Sequence, residues 1–216
     1  QSQQLTSGTA TADLNILYIR LSPDDVSSIK IKGGIATSVS TTFLAVSAGA
    51  VTDLAANEVR NISCLQVGAY TVSTAGLLSL KTFNFDAAAG VLTMVFTDVV
   101  ASNTFTAVGI TIQASKSRSS GPYYALTQST TTQSPNGVQI SVQLSLSDFL
   151  NLKSIPGLAT SASTTYLTLQ ASVVEDTSTN NVLSIVDGKA IQVLQYTGDS
   201  SPPQINNFQL DLNTGT

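Results

Sequence analysis

The stretch ISVQLSLSDFLNLK, residues 140–153, decides the fold class. Its first half alternates, with Ile140, Val142 and Leu144 on one side and Ser141 and Gln143 on the other, the period of a half-buried strand. Its second half opens on Ser145-Leu146-Ser147-Asp148, a serine N-cap with an acid three residues on. Phe149 and Leu152 then stand at i, i+3, and Lys153 closes the turn at the negative end of its dipole. A strand therefore runs directly into one short helical turn that plugs the end of an apolar core. The stretch LYIRLSPDDVSSIK, residues 17–30, reads the same way. Leu17, Ile19 and Leu21 make the inward row, and Ser22 caps a turn with Pro23 at its first position, where the missing N–H costs nothing. Val26, Ile29 and Lys30 follow in the places of Phe149, Leu152 and Lys153.

The two stretches are copies. Asp25 and Asp148 lie 148 − 25 = 123 residues apart, and at the same offset GIATSVSTTFL (34–44) returns as GLATSASTTYL (157–167). A further echo joins LKTFNFDAAAG (80–90) to INNFQLDLNTG (205–215), with Phe83 and Phe208 208 − 83 = 125 residues apart. A period of one structural domain signals an array of similar units. Residues 1–77 read as the closing part of a first module, 78–203 as a complete second module and 204–216 as the opening strand of a third. Pro202-Pro203 marks the second seam and Ser73-Thr74-Ala75-Gly76 the first.

Further inward rows are Leu92, Met94 and Phe96, then Ile110 and Ile112, with more strands expected at 80–85, 123–128, 166–171 and 190–196. Asp86-Ala-Ala-Ala-Gly90 closes the first hairpin and 211–215 its copy. About seven strands in the complete module predict an all-β fold: antiparallel immunoglobulin-like β-sandwich modules in tandem, each with one short helical turn.

Composition excludes several functions. Only 10% of the 216 residues are charged and the net charge is −4, so no basic patch exists for nucleic acid or an anionic membrane. No 18-residue apolar stretch spans a membrane in this segment, and no signal peptide opens it. There is no histidine, which removes His-based triads, His metal sites and the commonest general base. One cysteine, Cys64, excludes a zinc cluster; it reads as a small buried thiol or as one half of an intermolecular disulfide. Its counterpart is Ala190, since CLQV (64–67) aligns with AIQV (190–193). The chain is expected to be non-catalytic.

Two kinds of candidate site remain. Asp53 and Asp176 recur at the 123-residue offset, each four residues before an asparagine, Asn57 and Asn180; Asp187 lies near the second seam. These three acids are the oxygen donors that calcium, the one candidate cofactor, could use. The alternative is an Asx-stabilised loop. Asn61-Ile62-Ser63 is the single N-glycosylation sequon, and the alignment through Cys64 sets Asp187 at its place. The Ser/Thr runs at 38–42, 129–132 and 161–165 are O-glycan candidates, and Tyr18, Tyr123, Tyr124 and Tyr166 a sugar-binding or adhesive face, or else core and cross-strand packing.

The order FNFDAAAGVLTMVFT (83–97), LSLSDFLNLK, GLATSASTTYL, a D-x-x-x-N loop and SPPQINNFQLDLNTGT resembles a tandem repeat of large extracellular proteins of algae and other protists. That family is similar to bacterial immunoglobulin-like surface repeats. The resemblance implies a cell-surface or secreted filamentous protein, of adhesin or flagellar-hair type, with no catalytic residues. Ala56 and Thr179 depart from the glycine that often precedes the loop asparagine. The expected partners are neighbouring modules or other copies of the chain through strand edges, and glycans for an adhesive unit.

Overall fold

A computed structural model of the chain describes residues 1–71, 77–202, 204, 206–210 and 213. The first seam, 73–76, most of the 211–215 turn and Pro203 lie outside the described residues. Among the described residues, four β-sheets and two α-helices are present.

The N-terminal part holds two hairpins. Strands β1 (Gly8–Asp13) and β2 (Ile16–Leu21) pair antiparallel, as do β3 (Phe43–Val46) and β4 (Ile62–Gln66). Helix α1 (Pro23–Lys32) lies between them. Its start is set by Ser22, whose Oγ accepts from Asp25 N at 3.0 Å, and its stop by Gly33 at φ +56°.

The C-terminal part is built from β5 (Leu80–Asp86), β6 (Val91–Val100), β7 (Ile110–Gln113), β8 (Tyr123–Ala125), β9 (Thr131–Thr132) and β10 (Gly137–Gln143). Helix α2 (Leu146–Ser154) follows, then β11 (Tyr166–Leu169), β12 (Ile191–Gln192) and β13 (Gln195–Thr197). One sheet has the order β13-β5-β6-β10-β9 and a second β12-β11-β7-β8. A single apolar cluster draws on both: Phe83, Leu92, Met94, Phe96, Ile140 and Val142 from the first, Ile110, Ile112, Leu167 and Leu169 from the second. The inward rows read from the sequence are thus buried in this part. Strand β7 goes further, for Thr111 and Gln113 are buried too, so both of its faces are covered.

Three expectations are corrected. The helical turns are full helices of ten and nine residues, because no breaker follows the cap until Gly33 in one copy and Pro156 in the other. Residues 190–196 are two short strands in different sheets, not one. The pairing is antiparallel except at one edge, where β13 runs parallel to β5 with Gln195, Tyr196 and Thr197 opposite Asn84, Phe85 and Asp86.

That parallel pair fixes the ends of the C-terminal part. The strand that opens it, β5, and the strand that closes it, β13, run in the same direction, so the chain arrives at one end of the sheet and leaves at the other. Asp98, beyond the Leu80–Phe96 pair, lies at the arriving end; the 86–90 turn, α2 and Gly198-Asp199 lie at the departing end. Gly90 takes φ +68° there, and the Phe149 ring stands 3.0 Å from where a Cβ would be.

Candidate interaction surface

Each copy buries one carboxylate at the helix cap. Asp148 is fully buried and accepts from Tyr124 Oη at 2.9 Å, Thr127 Oγ1 at 3.0 Å, Thr127 N at 3.2 Å and Thr130 Oγ1 at 2.5 Å. Burial acts to raise its pKa, but the donors from Thr130, Tyr124 and Thr127 outweigh it and hold the carboxyl below the usual range. Asp25 is buried in the same place, taking Thr6 N at 3.1 Å, Thr6 Oγ1 at 2.9 Å and Ser7 N at 3.1 Å. The hydrogen bond from Ser7 N leads the lowering of its pKa. Sequence reading gave both acids only a capping role. They also tie the preceding loop to the helix start, and the signal for this lay in a threonine 19 and 21 residues upstream.

The two D-x-x-x-N segments form the same closed loop. Asp53 Oδ1 accepts from Asn57 N at 2.8 Å and Oδ2 from Asn57 Nδ2 at 2.9 Å; Asp176 and Asn180 repeat this at 2.9 and 2.8 Å. The Asn57 side chain leads the lowering of the Asp53 pKa. Ala56 and Thr179 keep φ at +65° and +66°, so the loop holds its left-handed residue without glycine. Asp187 is engaged elsewhere: Arg118 N at 2.9 Å is the main cause of its lowered pKa, and Gln113 Nε2 donates at 3.1 Å. Among the described residues, no three His, Cys, Asp or Glu side chains gather as a metal site, so the calcium candidates are not brought together.

Register also changes one alignment. Val46 faces Ile62 and Leu169 faces Ile185, both at the 123-residue offset, whereas Leu44 faces Leu65 and Leu167 faces Ile191. Three extra residues therefore fall between Ile185 and Ile191, and Asp187 belongs to that insertion. The register counterpart of Asn61 is Ser184. Asn61 is exposed at the start of β4, and Cys64 is exposed too, against the buried-thiol reading. An apolar covering that the repeat supplies for Ala190 is missing around Cys64.

The tyrosines do not form one face. Tyr123 and Tyr166 flank Gln113 in a single row across β8, β7 and β11, with Arg118 5.2 Å above the Tyr123 ring. Tyr124 is opposite Ile112 on the other face, and Tyr18 is in the N-terminal hairpin. The Ser/Thr runs at 38–42 and 161–165 are turns, in which Thr41 and Thr164 Oγ1 accept from Ser38 N at 2.9 Å and Ser161 N at 3.0 Å.

What remains is the pair of ends and one open face. At the arriving end of the C-terminal part, Lys30 of α1 forms an ion pair with Asp98 of β6. At the departing end the equivalent lysine, Lys153, pairs with Asp199 at 2.7 Å and lies 4.3 Å from the Phe149 ring. A cleft of about 270 Å³ opens beside it, lined by Phe85, Phe149, Leu152, Tyr196 and Asp199 among others. In the N-terminal part the inward row is uncovered: Leu17 and Ile19 are 41% and 55% exposed, where Ile140 and Val142 are 0%. Phe43, Leu44 and Leu65 are exposed as well.

No family model, no curated protein and no solved structure matches the chain. No helix of the described residues is long and apolar enough to cross a membrane.

Proposed function

We propose that this chain is a structural unit of an extracellular or cell-surface fibrous protein, a non-catalytic spacer or filament shaft made of immunoglobulin-like sandwich modules. The modules are residues 1–77, 78–203 and 204–216, the first and last in part. The observation that carries the reading is the parallel β5–β13 pair, which sets the two chain connections of the C-terminal part at opposite ends. Units joined this way extend in a line rather than folding back. The Lys30–Asp98 contact supports it, because the departing-end lysine of one copy meets the arriving end of the next. Repetition favours it too, since the recurring polar residues described are engaged in capping, looping and ion pairing. The Asn61 sequon is exposed, as attachment of a glycan on a secretory route requires.

A second reading is an adhesive module that binds a glycan or a partner protein. The cleft at the departing end favours it, with aromatic walls and a lysine–aspartate pair at its rim. Small-angle scattering and electron microscopy separate the two. The structural reading expects an elongated particle and regular filaments in native material. A compact, monomeric chain that binds a sugar tightly on a glycan array overturns it.

A further inference from the structure

We infer that the loop inserted in the C-terminal copy, with the β7–β8 loop it is bonded to, is a binding surface for an acidic polysaccharide, a sugar chain bearing carboxylate or sulfate groups. Between Ile62 and Leu65 the first copy has two residues; between Ile185 and Ile191 the second has five. The strand pairing that both copies make does not require the extra residues. Insertions confined to single repeats map to loops, and such loops often form the binding face.

The inserted residues are held in one shape. Val186-Asp187-Gly188-Lys189 make a β-turn, with Lys189 N donating to Val186 O at 3.0 Å and Gly188 at φ +83°. Gly188 N donates to Lys116 O at 3.1 Å, which ties the turn to the β7–β8 loop, residues 114–122. Asp187 fastens it further, for Oδ1 accepts from Arg118 N at 2.9 Å and from Gln113 Nε2 at 3.1 Å. Gln113 is 0% exposed, and its Oε1 has no hydrogen-bond partner among the described residues. A buried acceptor without a donor is destabilising, so the use of this amide lies at its other end, where it holds Asp187.

What this clamp presents is positive charge. Lys116, Arg118 and Lys189 are all exposed, and they are three of the five basic residues between positions 78 and 203. None of them takes part in an ion pair among the described residues, where the pairs are Lys30–Asp98 and Lys153–Asp199. Asp187 is the only acid on the two loops, so they carry 3 − 1 = 2 positive charges in a chain of net charge −4. Composition argues against a basic patch because Lys189 lies 189 − 118 = 71 residues beyond Arg118; only the fold gathers them.

The chemistry favours an acidic sugar chain over other anions. The Arg118 guanidinium lies over the Tyr123 ring at 5.2 Å, a stacking that leaves its in-plane N–H donors to meet a carboxylate or sulfate side-on. A nucleic-acid base would have to displace Arg118 to stack on that face. Cations on two loops suit a ligand whose charges repeat along its length, and the exposed Ser119 and Ser120 add hydroxyls that sugar hydroxyls can pair with. All these residues lie inside the C-terminal part, so the inference depends on neither chain end. It goes beyond the spacer reading, and binding by an elongated chain is compatible with both.

Biolayer interferometry of the full chain at low salt tests it. The immobilised probes are polygalacturonate, dextran sulfate, neutral dextran and single-stranded DNA. The expected result is binding to polygalacturonate or dextran sulfate that falls as salt rises, and none to neutral dextran. The responding probe tells carboxylate from sulfate. Lys116→Gln, Arg118→Gln and Lys189→Gln together should weaken binding about tenfold or more. The same loss of charge elsewhere, through Lys32→Gln, Arg60→Gln and Lys81→Gln, should change it by less than about twofold. Asp187→Ala should also weaken binding, although it removes a negative charge, because it releases the turn. No binding to either acidic probe, equal binding to neutral dextran or DNA, an equal loss from the two triple variants, or tighter binding by Asp187→Ala overturns the inference.

Discussion

The N-terminal and C-terminal parts share their local chemistry and differ in what covers it. Both have the serine cap, the buried helix-cap aspartate, the Asp–Asn loop and a tyrosine, Tyr70 or Tyr196, that hooks a left-handed alanine, Ala36 or Ala159. Yet Ile19 is 55% exposed and its counterpart Val142 is 0% exposed. Hydrogen bonds over a few residues form wherever the sequence permits them. Burial needs strands from far along the chain, and only the C-terminal part has β5, β6, β7 and β8 against its repeat-equivalent strands. Matching rows of apolar residues are therefore buried in one part and exposed in the other.

The sharpest way to break this comparison is in the core. Phe83→Ala should cost about 3–5 kcal/mol, as a large aromatic removed from a packed interior does. Ile19→Ala in dilute solution should cost under about 1 kcal/mol, as exposed substitutions do. Urea unfolding followed by circular dichroism measures both. An Ile19→Ala cost equal to that of Phe83→Ala would show the N-terminal face to be covered, and a cost that grows with protein concentration would mark association.

The buried aspartates come next. Asp148→Asn should destabilise by about 2–3 kcal/mol, because a neutral amide faces donors that need an anion. Asp25→Asn should cost less, since Thr6 and Ser7 can turn their donors to water. Chemical denaturation of the two variants ranks them, and an equal cost would remove the difference in enclosure. The same carboxylate predicts an acid response. Its folded pKa is lowered, so its stabilisation is full above the unfolded value of about 3.9 and is lost as pH falls through the folded value. Wild-type stability minus that of Asp148→Asn, measured from pH 6 to pH 2, should be flat above about pH 5 and shrink below about pH 4. A difference that persists unchanged at pH 2 would contradict this.

Smaller effects test the loops and the junction. Asn180→Ala should cost about 1 kcal/mol and Asn57→Ala less, the Asp176 side of the pair being the better enclosed. Thermal melts resolve this, at about 2–4 °C per kcal/mol for a chain of this size. Lys30→Met should change global stability by less than about 1 kcal/mol, the value of a partly exposed ion pair. Its effect should appear instead as a broader spread of interdomain distances between spin labels on Cys64 and on an added cysteine at Ser129. An unchanged distance distribution would show that the ion pair does not orient the two parts.

Much of this was legible in the sequence, and the reasons differ by residue. The rows Leu92-Met94-Phe96 and Ile140-Val142-Leu144 announced themselves because a strand's two faces alternate by geometry. Ser22 and Ser145 announced the helix starts because a cap acts within three residues. The helix lengths were missed because nothing after Asp25 or Asp148 is a strong signal either way, and the stop depends on Gly33 and Pro156. The three-residue insertion around Asp187 was missed because only the cross-strand partners of Val46 and Leu169 reveal where it falls. The second role of Asp148 was hidden for a similar reason, as its donors lie 18 to 24 residues upstream.

By itself the sequence determined the repeat, the strand faces, the caps and the Asp–Asn loops, because each rests on neighbours within a turn or on recurrence at a nearly constant offset. Only the tertiary structure decided that β13 joins β5 in parallel, that Lys30 reaches Asp98, and that one copy's apolar row is buried while the other's is open. Those outcomes depend on pairing between segments tens of residues apart. Period and propensity carry no information about which distant edge a strand will meet.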